Sequence, residues 1–133
     1  MGMPEMLTVR AKEVIDQADC LIGAKRMLEC AKRILPDEMQ EQKKMMVEYR
    51  PKQIAEIIKA EKEDQKIGIL LSGDIGFFSG AKKLEKVLEG FADEVLLVPG
   101  ISSIVYLSAK IGIAWEDAAI ISLHGKNENF IQT

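Results

Sequence analysis

The chain has 133 residues, enough for one domain whose core needs neither disulfide nor metal. Its formal net charge of −3, with acids and bases mixed throughout, leaves no electrostatic footprint for nucleic acid or an anionic membrane. No apolar run approaches the roughly 18 residues of a membrane span, Met1-Gly2-Met3-Pro4-Glu5 lacks the regions of a signal peptide, and Cys20, Cys30 and His124 share no metal-ligand spacing. The expectation is a cytoplasmic, metal-free protein with reduced thiols.

Taken in chain order, Leu7, Ala11, Val14, Ile15 and Ala18 recur at helical spacing, with Thr8 placed to cap that helix. Cys20-Leu21-Ile22 reads as a strand closed by Gly23, and 24–34 as a helix ended by Pro36-Asp37. The polar stretch 38–44 is a loop or a ragged helix. Met45-Met46-Val47 is a weaker strand. Pro51 suits a helix's first turn, and Ile54, Ile57 and Ile58 give that helix one buried stripe.

The clearest strand is 67–71. Ser79 is placed to cap the following helix, which turns Leu84, Val87, Leu88 and Phe91 to the core and has Gly90 near its end. Val95-Leu96-Leu97-Val98 reads as a further strand. Ser102 or Ser103 caps a helix through Ile111 that is apolar on nearly every side, so it should be the most buried one. A last strand covers 118–123, before a polar tail. The strands are continuous apolar runs alternating with helices. The pattern predicts an α/β fold with a mostly parallel sheet flanked by helices on both faces.

Two strand-to-helix turns draw the functional reading: Ser72-Gly73-Asp74-Ile75-Gly76-Phe77-Phe78-Ser79 and Pro99-Gly100-Ile101-Ser102-Ser103. In a parallel sheet such turns lie at the carboxyl ends of the strands, where ligands bind. Glycines in the first let backbone amides approach a ligand, and Asp74 can accept from a ribose or amino group. A glycine-rich turn whose Asp bonds its own backbone reads equally well. In the second, free amides and hydroxyls can meet a ligand, although a plain helix cap is favoured by roughly two to one.

The glycine spacing matches neither GxGxxG nor a phosphate-gripping loop, which disfavours a dinucleotide oxidoreductase and an NTPase. His124, beside Gly125, can face a site as a proton donor, with a surface or structural histidine as the default. No nucleophile–base pair or paired carboxylate stands at interpretable spacing.

Four segments carry a family resemblance: Glu5-Met6-Leu7-Thr8-Val9-Arg10-Ala11; Ala18-Asp19-Cys20-Leu21-Ile22-Gly23-Ala24-Lys25-Arg26; Ser72 through Ser79; and Pro99-Gly100-Ile101-Ser102-Ser103-Ile104 with Trp115-Glu116-Asp117-Ala118 and Ser122-Leu123-His124-Gly125. The chain resembles the tetrapyrrole methylase family, which moves a methyl group from S-adenosylmethionine to corrin precursors and related substrates. Within it the likeness is closest to the precorrin C5-methyltransferases of the cobalamin pathway. The resemblance implies that Ser72, Gly73, Asp74, Phe77, Ser102 and Ser103 match positions that contact S-adenosylmethionine. It implies a corrin-type acceptor and no generally agreed catalytic base. A related methylase with another acceptor and a non-catalytic α/β binding module remain the alternatives.

Three departures stand out. Ile75 and Phe78 replace the family's frequent Pro and Tyr. Met1-Gly2 resembles the tail of the loop after the family's first strand, so 1–133 reads as the S-adenosylmethionine-side domain without that strand. The resemblance also implies a second α/β domain that would begin near Thr133, so the chain is expected to be a fragment of a longer enzyme. Loss of an inner strand should leave a gap with unpaired backbone groups. The 118–123 strand can fill it, within the chain or by exchange in a homodimer.

Overall fold

The computed structural model describes residues 3–61, 64–77, 79–92, 94–116 and 118–120. It divides into two compact units, Met1–Ser103 and Ile104–Thr133. The first opens with a 3-10 turn, Pro4–Met6, and then α1, Val9–Gln17. The Thr8 hydroxyl accepts from the Ala11 amide at 3.1 Å and caps α1, as its position predicts. There follow β1 (Cys20–Gly23), α2 (Lys25–Lys32), α3 (Asp37–Gln42), β2 (Lys44–Val47), α4 (Pro51–Ala60), β3 (Ile67–Leu70) and α5 (Ala81–Leu88). The polar stretch before β2 is thus a short helix, with Pro36 at its N-cap.

The three strands form one parallel sheet in the order β2-β1-β3. Cys20 lies opposite Lys44 on one side and Ile67 on the other, and the register continues to Gly23 between Val47 and Leu70. All four residues of β1 are buried, because helices cover both faces of this central strand. Leu21 points to Ile15 and Ala18 of the α1 segment and to Leu28, Ala31 and Leu35 of the α2 segment. Cys20 and Ile22 point the other way, to Ile54 of α4 and to Leu84 and Leu88 of α5. Strand alternation therefore divides one apolar run between two cores. The α/β architecture and the parallel sheet agree with the sequence reading.

The two edges of this sheet differ. On β2, Lys44 is exposed and pairs with Glu61, a charge that protects an edge from stray pairing. On β3, no strand lies beyond the outer edge among the described residues. The expected strand at 95–98 is not formed among the described residues, where it makes no ladder or other backbone hydrogen bond. Val95, Leu96 and Leu97 are 47%, 57% and 45% exposed. A β-prone apolar run becomes a strand only when a partner edge lies alongside, and none does among the described residues.

The first unit ends where α6, Ser103–Ile111, begins. Its pattern predicted the most buried helix, and the structure overturns that. None of its residues is buried, and Leu107 and Ile111 are more than half exposed. All-round apolarity signals a helix that can be covered on every side; burial itself depends on neighbours, which the pattern does not specify. Gly112, with φ of +69°, ends the helix in the left-handed region. The expected last strand is not seen at 118–120, and 121–123 lie outside the described residues, as does His124.

Candidate functional site

The first predicted turn leaves β3 at its carboxyl end and is shaped by Asp74. Gly73 takes a φ of +80°, which costs an L side chain dearly. One Asp74 oxygen, Oδ1, accepts from the Gly76 amide at 2.9 Å. The Phe77 amide donates to the Asp74 carbonyl at 3.3 Å and closes the turn. This local bonding is the Asp-on-its-own-backbone arrangement that the sequence left open beside a ligand role.

The second oxygen does something the sequence did not reveal. Asp74 Oδ2 accepts from the Gly100 amide at 3.2 Å, joining two turns 26 residues apart. A Cβ on Gly100 would stand 2.3 Å from the Gly73 carbonyl oxygen, so only glycine permits this approach. The two predicted turns therefore meet at the carboxyl edge of the sheet. Both carboxylate oxygens hold backbone amides, which makes Asp74 a positioning residue whatever else it touches. The Thr8 hydroxyl also lies 3.5 Å from the Pro99 carbonyl, within reach as a donor.

The other expected contacts spread around this junction. Ser72 and Phe77 are half-buried in the first turn. Ser102 is buried at 8% exposure, and Ser103 starts α6. Ser79 does not occupy the cap position of α5, which falls to Gly80; its hydroxyl still accepts from the Ala81 amide at 3.2 Å. Phe78 lies outside the described residues. An open recess of about 530 Å³ adjoins the first turn, lined by Ile75, Gly76 and Ser79, by Ala81, Lys82 and Glu85 of α5, and by Leu97. None of the six expected contact residues lines it.

Sequence reasoning missed two charged groups at the same edge. Arg26, at the start of α2, donates to the Ser72 hydroxyl at 3.4 Å and so ties the turn after β1 to the turn after β3. Glu48 follows β2, where its amide donates to the Gly23 carbonyl at 3.1 Å. Its carboxylate accepts from the Arg50 guanidinium at 2.7 and 3.0 Å and from the Tyr49 and Arg50 amides. The guanidinium first, then those amides, hold the Glu48 carboxyl down to about 2. The signal available beforehand was position: charged residues in the first residues after each strand.

No described group of three His, Cys, Asp or Glu side chains is placed to hold a metal. Cys20 and Cys30 are buried free thiols, pushed up chiefly by burial, and neither is poised as a nucleophile. Among the described residues no helix is long and apolar enough to cross a membrane.

A parallel α/β sheet with two glycine turns clasped at its carboxyl edge places the chain in the α/β class whose ligand sites lie, when present, at that edge. The model of the Tetrapyrrole (Corrin/Porphyrin) Methylases matches residues 1–132, and the chain belongs to that family. It is 37% identical to a protein of Methanocaldococcus jannaschii named "probable cobalt-precorrin-7 C(5)-methyltransferase", over 96% of this chain and 58% of that protein. It is 32% identical to the cobalt-precorrin-7 C(5)-methyltransferase of Salmonella typhimurium, over 96% of this chain and 59% of that protein. The chain thus spans somewhat under three fifths of these relatives. A cobalamin-synthesis-related protein of Corynebacterium diphtheriae shares the fold, with a TM-score of 0.68 at 19% identity over 91% of this chain and 58% of that one.

Proposed function

We propose that this chain is the S-adenosylmethionine-side domain of a cytoplasmic C-methyltransferase of cobalamin biosynthesis, acting at C5 of a precorrin or cobalt-precorrin. The observation that carries this reading is the clasp of two glycine turns through Asp74 and Gly100 at the carboxyl edge of the sheet. The names of the relatives supply the acceptor.

The residues present suit the donor. Gly73 and Gly76 leave backbone unshielded, and the Ser72 hydroxyl stands beside them, a polar rim matched to the hydroxyls, amine and carboxylate of S-adenosylmethionine. In this reading Ser72, Gly73, Phe77, Ser102 and Ser103 contact the donor, and Asp74 fixes the turns that present them. When bound, S-adenosylmethionine would supply a methyl group activated by its sulfonium for an electron-rich acceptor carbon. The chain's contribution is alignment and exclusion of water, which needs no nucleophilic side chain.

Calorimetric titration of S-adenosylhomocysteine into the 133-residue chain tests the reading. Saturable one-to-one binding that Asp74→Ala abolishes is the expected result. A folded chain that takes up no S-adenosylhomocysteine overturns it.

A further inference from the structure

Arg26 has no task in the reading above, yet it is built into the same edge. It is exposed, sits in the first turn of α2, and reaches 46 residues along the chain to the Ser72 hydroxyl. Arg10 is matched by Glu13 and Arg50 by Glu48, whereas Arg26, like Arg33, enters none of the ion pairs found among the described residues; of these two, only Arg26 stands at the carboxyl edge of the sheet, on Ser72. A guanidinium carries five N–H donors in a rigid fork, and the Ser72 bond engages one nitrogen. An edge of the fork is left for another acceptor.

The placement does not serve α2. Lys25 and Arg26 open that helix with no acid in its first turn, and Ala24 offers no side-chain cap. Both charges oppose the helix macrodipole, where an anion would be favoured. Two uncompensated cations at a ligand-binding edge, one of them steered onto the turn after β3, call for a negatively charged ligand group.

We propose that Arg26 and Ser72 form a carboxylate subsite at the carboxyl edge of the sheet. The guanidinium takes the carboxylate through paired N–H···O bonds, and the Ser72 hydroxyl fixes the plane of the fork. Lys25 adds charge beside it. The inference rests on the methyltransferase reading, which offers two sources of a carboxylate: the methionine end of the donor and the acidic side chains of a precorrin acceptor.

The test compares the wild type with Arg26→Ala, Arg26→Lys and Ser72→Ala, each shown to be folded by its urea midpoint. Ligands are S-adenosylhomocysteine, its decarboxylated analogue, and uroporphyrin III as an octacarboxylate tetrapyrrole. Loss of one charge-assisted pair predicts about tenfold weaker binding or more in Arg26→Ala. Arg26→Lys should recover only part, because a point charge cannot replace the fork. Weakening toward S-adenosylhomocysteine but not its decarboxylated analogue assigns the subsite to the donor. Weakening toward uroporphyrin alone assigns it to the acceptor. If the wild type binds S-adenosylhomocysteine and Arg26→Ala weakens no carboxylate ligand, the subsite is refuted and the methyltransferase reading stands. If the wild type binds neither ligand, both fall.

Discussion

At the residue scale the site depends on Asp74 and Gly100, whose partnership spans 26 positions. Adding one methyl at Gly100 meets a backbone carbonyl at 2.3 Å, and backbone cannot swing aside as a side chain can. Gly100→Ala should therefore cost roughly 1–3 kcal/mol of stability, the usual range for overpacking. It should also separate the turns, so denaturant unfolding and S-adenosylhomocysteine titration are expected to fall together. Glu48 gives a pH signature. Its folded carboxyl lies near 2, below the ordinary value of 4.5, so its contribution is present above that value and lost as pH falls toward 2. Glu48→Gln should have a lower urea midpoint at pH 7, and the difference from wild type should shrink on acidification. An unchanged difference at pH 3 would contradict the assignment. The local bond of Asp74 to Gly76 was legible as one of two readings of a Gly-Asp turn. The bond to Gly100 was not, because nothing in local spacing says which distant amide a second oxygen will meet.

At the element scale, the strands legible in sequence were those whose partners exist. β1 is apolar, short and bounded by Gly23, and it sits between two neighbours that satisfy its backbone. Leu21 is fully buried between α1 and α2, and Leu21→Ala should cost about 2–5 kcal/mol, read as a lower thermal midpoint. The cap at Thr8 is a smaller term. Thr8→Ala should lower stability by about 1 kcal/mol, whereas Thr8→Ser, whose hydroxyl can accept the same Ala11 amide, should keep most of it. The run at 95–98 is as apolar as β1 yet forms no ladder among the described residues, which shows that apolarity and branching specify a strand's surface but not its neighbour. α6 teaches the same about helices: an all-round apolar pattern stated what could be buried, while its described neighbours left it exposed. Ser79 missed the cap position by one residue because Gly80 stands between it and α5, and its hydroxyl reached the Ala81 amide regardless.

At the scale of the whole molecule, family membership rests on a match over residues 1–132 and is independent of any single turn. The fold supplies the rest of the logic: parallel strands deliver the turns after β1, β2 and β3 to one edge, so Arg26, Glu48 and Asp74 collect there, and Asp74 draws Gly100 in from a fourth segment. That convergence was foreseeable from the α/β pattern, whereas the bonds that fix it were not. The most direct test of this convergence is a titration of the 133-residue chain with S-adenosylhomocysteine followed by amide NMR. The predicted result is a set of shifts concentrated on Gly73, Gly76 and Gly100, lost in Asp74→Ala. Shifts confined to residues away from these turns, with the turns silent, would contradict it.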